Sequence, residues 1–111
     1  MIDPSPLSRP APLASLVEVQ AGAVVSRIVL KERSGNVTLF AFGAGEGLTE
    51  HTTPHEALVV GVDGEAEITI GGEAHAVAAG EGLRLPAGVP HAVRALSPFR
   101  MMLVMLRRLE D

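Results

Sequence analysis

The chain has 111 residues, of which 9 are basic, 13 are acidic and 47% are apolar. This length predicts a single domain, and the apolar fraction is well above that of disordered chains. The formal net charge of -4 and the small number of aromatic residues (three Phe, no Trp and no Tyr) argue against nucleic-acid binding, which needs a basic surface or rings for base stacking. The absence of cysteine excludes disulfides and thiolate metal sites.

The first twelve residues contain four of the eight prolines of the chain. Because proline fixes φ and removes a backbone donor, we expect an extended proline-rich arm over residues 1–12, followed by a single domain over 13–111. The arm would either fray in solvent or lie against a neighbouring subunit. The chain shows neither a signal peptide nor an apolar stretch of membrane-spanning length, so we expect a cytoplasmic protein with no membrane partner.

The rest of the chain carries short strand signals separated by turn residues. Residues 65–70 alternate strictly, with alanine and isoleucine on one side and glutamate and threonine on the other, as in a strand with one buried face. The pairs at 63–64 and 71–72 are hairpin signals. Further strands are predicted at residues 24–31, 37–42, 57–62, 73–78, 83–85, 91–96 and 99–106, with a turn at 34–36 and a glycine-rich connection at 43–47. Eight to nine short strands at this spacing predict an all-β fold, a sandwich or a barrel.

Three of the four histidines, His51, His55 and His91, lie at the starts of predicted strands or in turns. Neutral imidazole is a common protein ligand for transition metals, and in a chain without cysteine such a site would consist of histidines and carboxylates. Each histidine also has an ordinary structural explanation. His51 and His91 could be buried and hydrogen-bonded, and His55 could be a turn residue.

Glycine, proline and histidine recur at a fixed spacing up to the start of the strand predicted at residues 91–96. Gly80, Pro86, Gly88 and His91 are separated by five, one and two residues, and this spacing resembles the second motif of the cupins. The asparagine that follows in that motif is replaced by Ala95.

An earlier segment matches the first cupin motif in part. Gly45 and His51 are separated by five residues, and Gly64 stands where the closing glycine of the motif belongs. Metal-binding cupins carry a second histidine and a glutamate at the positions of Thr53 and Ala57. The first motif is therefore degenerate, and only two of the usual four metal ligands carry over.

Over residues 37–106 the chain thus resembles the small single-domain cupins of bacteria. The resemblance implies a double-stranded β-helix, or jelly-roll barrel, that binds a small molecule. A divalent transition metal (Zn, Fe, Mn or Ni) would be held by His51, His55 and His91, with Glu56 as another source of the third bond. If the protein is catalytic, the family's chemistry includes oxygen-dependent cleavage, isomerisation and decarboxylation of small organic acids.

Two alternatives to a metal-dependent cupin stay open. One is a metal-free, non-catalytic module for ligand binding or sensing, which the two missing metal ligands favour. The other is an accessory domain that acts through a dimer interface. A homodimer is expected in each case, because a core of this size is marginally stable on its own.

We expect His51 and His91 to lie side by side inside the barrel, since the two motifs face each other in cupins. The small-molecule pocket around them should be apolar. The residues expected to line it are Phe40, Phe42, Val60, Met101 and Met102.

Overall fold

The computed structural model describes residues 5–108, which form nine β-strands and one short 3₁₀ helix, Leu13–Ser15. The strands are β1 (Val24–Glu32), β2 (Gly35–Phe42), β3 (Gly47–His51), β4 (Glu56–Asp63), β5 (Glu65–Ile70), β6 (Glu73–Ala78), β7 (Gly82–Leu85), β8 (His91–Ala95) and β9 (Phe99–Leu106). The first four residues of the expected arm lie outside the described residues. Within 5–108 there is no helix with the length and apolar character needed to cross a membrane.

The strands are arranged in two antiparallel sheets that face each other as a jelly roll. One sheet has five strands in the order β1-β2-β9-β4-β7, and the other has four in the order β3-β8-β5-β6. The all-β prediction and the jelly-roll expectation are therefore confirmed. The alternating residues of β5 explain the arrangement, because their apolar side is buried between the sheets.

The two hairpin signals have different outcomes. The glycine pair at 71–72 joins β5 to β6, which are paired neighbours, as predicted. The pair at 63–64 does not form a hairpin, since β4 and β5 belong to different sheets. Gly64 instead carries the chain across the barrel with a φ of 76°, and a Cβ at this position would lie 2.0 Å from the carbonyl oxygen of Pro98. Glycine is needed there for the close approach.

The glycine-rich segments are also shorter than predicted. The turn between β1 and β2 consists of Arg33 and Ser34, and Gly35 already belongs to β2. The expected connection at 43–47 ends where β3 begins, at Gly47. A Cβ on Gly47 would lie 1.9 Å from the carbonyl oxygen of Val93, so this glycine serves the pairing of β3 with β8 rather than a loop.

The main core fills the space between the two sheets. Phe42 lies at its centre, and its ring centroid is 5.9 Å from that of Phe40 and 5.8 Å from that of Phe99. Buried aliphatic residues of both sheets surround these rings, among them Val59, Ala66, Ile68, Leu85, Val93 and Met101. One end of the barrel is thereby closed.

The N-terminal segment covers part of the outer face of the five-stranded sheet. Its apolar residues form a second cluster with residues of β1 and β2, namely Leu7, Leu13, Leu16, Val17, Val19, Val29, Leu39 and Ala41. The hydroxyl of Ser5 donates to the carbonyl of Val29 at 2.7 Å, and Nε of Arg100 donates to the carbonyl of Val17 at 2.7 Å. The described part of the arm therefore contacts the sheet of its own chain through Ser5 and Leu7.

Candidate functional site

The end of the barrel opposite Phe42 is formed by connections that cross between the sheets. Residues 52–55 lead from β3 in one sheet to β4 in the other, and residues 86–90 lead from β7 to β8 in the same way. His51, the last residue of β3, and His91, the first residue of β8, therefore meet at this end. Burial at this end ranges from the buried His91 to the exposed His51, whereas the residues around Phe42 are fully buried. We call this the open end of the barrel.

A β-bulge turns the ring of His51 toward His91, although His51 itself remains exposed at this end of the barrel. Leu48 pairs with Val93 and His51 pairs with His91, so three steps along β3 match two steps along β8. Strict alternation from the inward-facing Leu48 would have turned His51 outward, and the extra residue reverses this. The two imidazole rings consequently meet edge to face, with centroids 4.4 Å apart.

Both histidines are held through the same ring nitrogen. Nδ1 of His51 lies 2.9 Å from the carbonyl oxygen of Thr49, and Nδ1 of His91 lies 3.4 Å from that of Val89. Because a carbonyl oxygen only accepts, Nδ1 donates in each bond. In the neutral imidazole, Nε2 then carries the free lone pair, ready to accept a proton donor or bind a cation.

The surroundings of His91 favour its neutral form. The residue is 7% exposed. Burial is the main cause that lowers the pKa of His91, the nearby His51 lowers it further, and the bond to Val89 opposes both. His91 therefore keeps a neutral ring, and an available lone pair, at neutral pH.

His55 does not join this pair in the structure. Its Nδ1 accepts the backbone N–H of Arg108 at 3.4 Å, and its own backbone is held in a turn by the hydroxyl of Thr53. Throughout residues 5–108, no group of three or more His, Asp or Glu side chains is placed to hold a metal ion. The structure thus brings together His51 and His91 and leaves the third expected ligand outside.

Glu56, the other expected source of a third bond, has partners elsewhere. Its Oε1 accepts Nε of Arg84 at 2.6 Å, and its Oε2 accepts the backbone N–H of Ala87 at 2.6 Å. The hydrogen bond from Arg84 is the main cause that lowers the pKa of Glu56, followed by the bond from Ala87. This carboxylate stays ionised and supports the connection that precedes β8.

The expected apolar lining is divided between two faces of the five-stranded sheet. Phe40, Phe42 and Met101 belong to the core between the sheets. Val60 and Met102 pair with each other on the outer face, and Met102 packs in the cluster that the arm covers. These two side chains do not reach the barrel interior, because residues alternate along a strand and the preceding residues, Val59 and Met101, face inward.

Two interior polar residues were not anticipated as site residues. Asn36 and Thr38 lie on β2 with the same inward parity as Phe40, and the hydroxyl of Thr38 donates to Oδ1 of Asn36 at 3.1 Å. The alternation of β2 predicts that both side chains face the interior once the strand is extended back to Asn36. The turn predicted at 34–36 hides this for Asn36. They give the wall across from the histidines its polar groups.

Comparison with known proteins agrees with this architecture. The sequence matches the family model described as the cupin domain over residues 38–106. No curated protein sequence matches the chain.

Several solved structures are similar over most of this chain, and three of them illustrate the range. A conserved protein of unknown function from Streptococcus pyogenes is 31% identical, with 93% of this chain and 90% of that chain covered and a TM-score of 0.87. A cupin superfamily protein from Desulfitobacterium hafniense is 29% identical, with coverages of 97% and 99% and a TM-score of 0.89. A cupin 2 conserved barrel domain protein from Leptotrichia buccalis is 37% identical, with coverages of 85% and 46% and a TM-score of 0.81. The chain belongs to the cupin family.

Proposed function

We propose that this cupin binds a small molecule at the open end of its barrel, with His51 and His91 as its polar contacts. The observation that carries the proposal is the orientation of the two rings. Each Nδ1 is engaged by a backbone carbonyl, and neither Nε2 has a hydrogen-bond partner among residues 5–108. Two neighbouring acceptors, on rings whose centroids are 4.4 Å apart, are suited to a ligand that carries a hydroxyl or amine.

The walls around the pair support a ligand site of modest size. Four apolar residues of both sheets pack against the core and remain partly exposed at or below the histidines, namely Phe40, Leu48, Ile70 and Leu103. Small-molecule sites are typically concave and apolar, with a few placed polar groups that set the orientation of the ligand. The open end combines such apolar residues with the two histidines as placed polar groups.

The divalent metal implied by the family fits the described residues incompletely. The carbonyl bonds at Nδ1 are those that ligating histidines usually make. Catalytic zinc sites, however, generally use three protein ligands, and residues 5–108 supply two. Metal-free binding is therefore the primary proposal. The second candidate is a divalent ion held by His51 and His91, with His55 turned inward at Pro54 as the third ligand.

A metal titration separates the two candidates. Protein without a histidine tag, stripped with a chelator, would be titrated with Zn²⁺ and Co²⁺ by calorimetry. Metal-free binding predicts no stoichiometric uptake in the micromolar range. The second candidate predicts one equivalent, abolished in His51→Ala and weakened at least tenfold, or about 1.4 kcal/mol, in His55→Ala. His75→Ala is the control, because His75 lies on the edge strand β6.

Small-molecule binding itself can be followed at the histidine rings. In ¹⁵N-labelled protein, a fragment library should include compounds that shift the Nε2 resonances of His51 and His91. Those shifts should disappear in His51→Ala and His91→Ala variants that keep a folded spectrum. Compounds that perturb only His55 or His75 would contradict the proposed site.

A further inference from the structure

The wall opposite the histidines carries a polar pair of its own. Thr38 is 8% exposed, and among residues 5–108 only His91 is a buried polar residue besides it. Its hydroxyl donates to the side-chain oxygen of Asn36 at 3.1 Å. A polar side chain on the interior face of a sheet costs free energy unless its polar atoms are hydrogen-bonded. Asn36 uses only its side-chain oxygen in this bond, so its NH₂ group can still donate to a ligand.

Asn36 lies at the same end of the barrel as the histidines. It pairs with Met105, which pairs in turn with Ala57. Ala57 is the second residue of β4, immediately after the connection that leaves His51. The alternation of β2 is uninterrupted from Asn36 to Phe42, so Asn36 has the same inward side as the aromatic core.

The bond from Thr38 determines which part of the Asn36 amide is available. Because Oδ1 accepts the Thr38 hydroxyl, the amide plane is oriented and the NH₂ group is left as the free end. This Nδ2 has no partner among residues 5–108, and Asn36 is partly exposed. Lys31 faces Asn36 across the β1–β2 register and adds a positive charge at the rim of the barrel.

The two walls are chemically complementary. The histidine wall offers acceptors at Nε2, and the Asn36 wall offers two N–H donors beside a lysine. Packed sheets generally lie about 10 Å apart, and side chains from both sheets extend into that space. A molecule of a few carbon atoms is therefore long enough to touch both walls.

We propose that Asn36 is a specificity-determining residue that binds a carboxylate oxygen of the ligand, while the histidines accept a hydroxyl of the same molecule. The ligand class is then a short hydroxy acid. Thr38 is a positioning residue that orients the Asn36 amide. This inference rests on the proposed small-molecule site at His51 and His91.

Three probes of equal carbon length test the assignment. 3-Hydroxybutyrate carries both groups, butyrate lacks the hydroxyl, and 1,3-butanediol lacks the carboxylate. The side-chain NH₂ resonances provide a direct readout, because the chain has only two side-chain amides, Asn36 and Gln20. Gln20 is exposed and lies in the segment before β1, so its resonances are the internal control.

We expect 3-hydroxybutyrate to shift the Asn36 NH₂ pair and the Nε2 resonances of His51 and His91, with Gln20 unchanged. Butyrate should shift Asn36 more than the histidines, and 1,3-butanediol should shift the histidines alone. Asn36→Asp should weaken 3-hydroxybutyrate at least about tenfold, since it replaces a donor to a charged group by a like charge. The affinity for 1,3-butanediol should be unchanged in the same variant.

Thr38→Val, which keeps the side-chain shape, should weaken 3-hydroxybutyrate several-fold and shift the Asn36 NH₂ pair in the free protein. An Asn36 resonance that stays in place while the histidines shift would overturn the inference and leave the proposed function standing. Equal shifts of Asn36 with 3-hydroxybutyrate and 1,3-butanediol would also overturn it. If 3-hydroxybutyrate perturbs neither wall, both the inference and the proposed site are contradicted for this class of ligand.

Discussion

The carboxylate of Glu56 accepts the backbone N–H of Ala87 at 2.6 Å. This contact ties the start of the strand that follows His51 to the connection that precedes His91. Arg84 holds the other carboxylate oxygen at the same distance, so Glu56 is fixed on both sides. Glu56 therefore links the strand that follows His51 to the connection that precedes His91, in addition to the direct pairing of the two histidines.

Glu56→Ala should loosen the connection at 86–90 without unfolding the barrel. We expect faster hydrogen exchange at the amides of Ala87 and Val89, because the first of them loses its acceptor. Probe binding at the histidines should weaken in parallel. Glu81→Ala is the matched control, since Glu81 also accepts a backbone amide, that of Ala78, at the closed end of the barrel. Unchanged exchange in Glu56→Ala would contradict the coupling.

The stability of the protein should depend on pH through His91. Burial, and then the neighbouring His51, lower the pKa of His91 in the folded protein. In the unfolded chain the same histidine has a pKa of about 6.5. Below that pH the unfolded state binds more protons at this position, so the free energy of unfolding should fall as the pH falls and level off above it. Urea unfolding between about pH 5 and pH 8 measures this slope.

Two substitutions assign the pH slope to its causes. His91→Gln should flatten the slope relative to the unaltered protein. His51→Gln should flatten it only in part, because burial of His91 remains as the larger cause. Equal slopes in His91→Gln and the unaltered protein would show that other groups produce the pH dependence.

Gly64 and Gly45 offer a matched pair for a test of the crossing between the sheets. Both have a positive φ, 76° at Gly64 and 82° at Gly45. A Cβ added at Gly64 would lie 2.0 Å from the carbonyl oxygen of Pro98, whereas a Cβ added at Gly45 would have no atom within 4 Å. Gly45→Ala should cost about 1–2 kcal/mol for the left-handed backbone alone. Gly64→Ala should cost about 1–3 kcal/mol more for the added steric conflict. Similar unfolding free energies for the two variants would be the contrary result.

A homodimer stays a prediction, and the outer face of the five-stranded sheet offers a surface for it. Leu30 and Leu58 are 52% and 43% exposed, and register places them in one row across the sheet with Val37 and Val104. This apolar row lies beside the area that the arm covers. It could pack against the same row of a second copy in a symmetric dimer. Leu58→Glu should produce a monomer at micromolar concentration in light scattering.

Leu96→Glu is the control for that experiment. Leu96 is similarly exposed, at 48%, but it follows β8 at the closed end of the barrel. This variant should keep the association state of the unaltered protein. A monomer in the absence of any substitution, or a dimer that survives Leu58→Glu, would count against this surface.

Local sequence patterns were enough to predict the fold and the family. The alternation of residues 65–70 reflects one buried face and is a property of the strand itself. The glycine pair at 71–72 forms the expected hairpin, because the positive φ angles that the turn requires belong to these two residues alone. The spacing from Gly80 to His91 identified the cupin motif, since a short strand, a turn and the start of β8 leave little freedom in chain length.

The site depended on relationships that span the barrel. Alternation tells which residues share a face, but it does not tell which face is turned inward, as Val60 and Met102 show. Nor does it locate an inserted residue. The bulge between Leu48 and His51 arises from pairing with β8, and without it His51 would face away from His91. Sequence therefore determined the strands and their periodicity, and only the tertiary pairing decided which side chains meet at the open end.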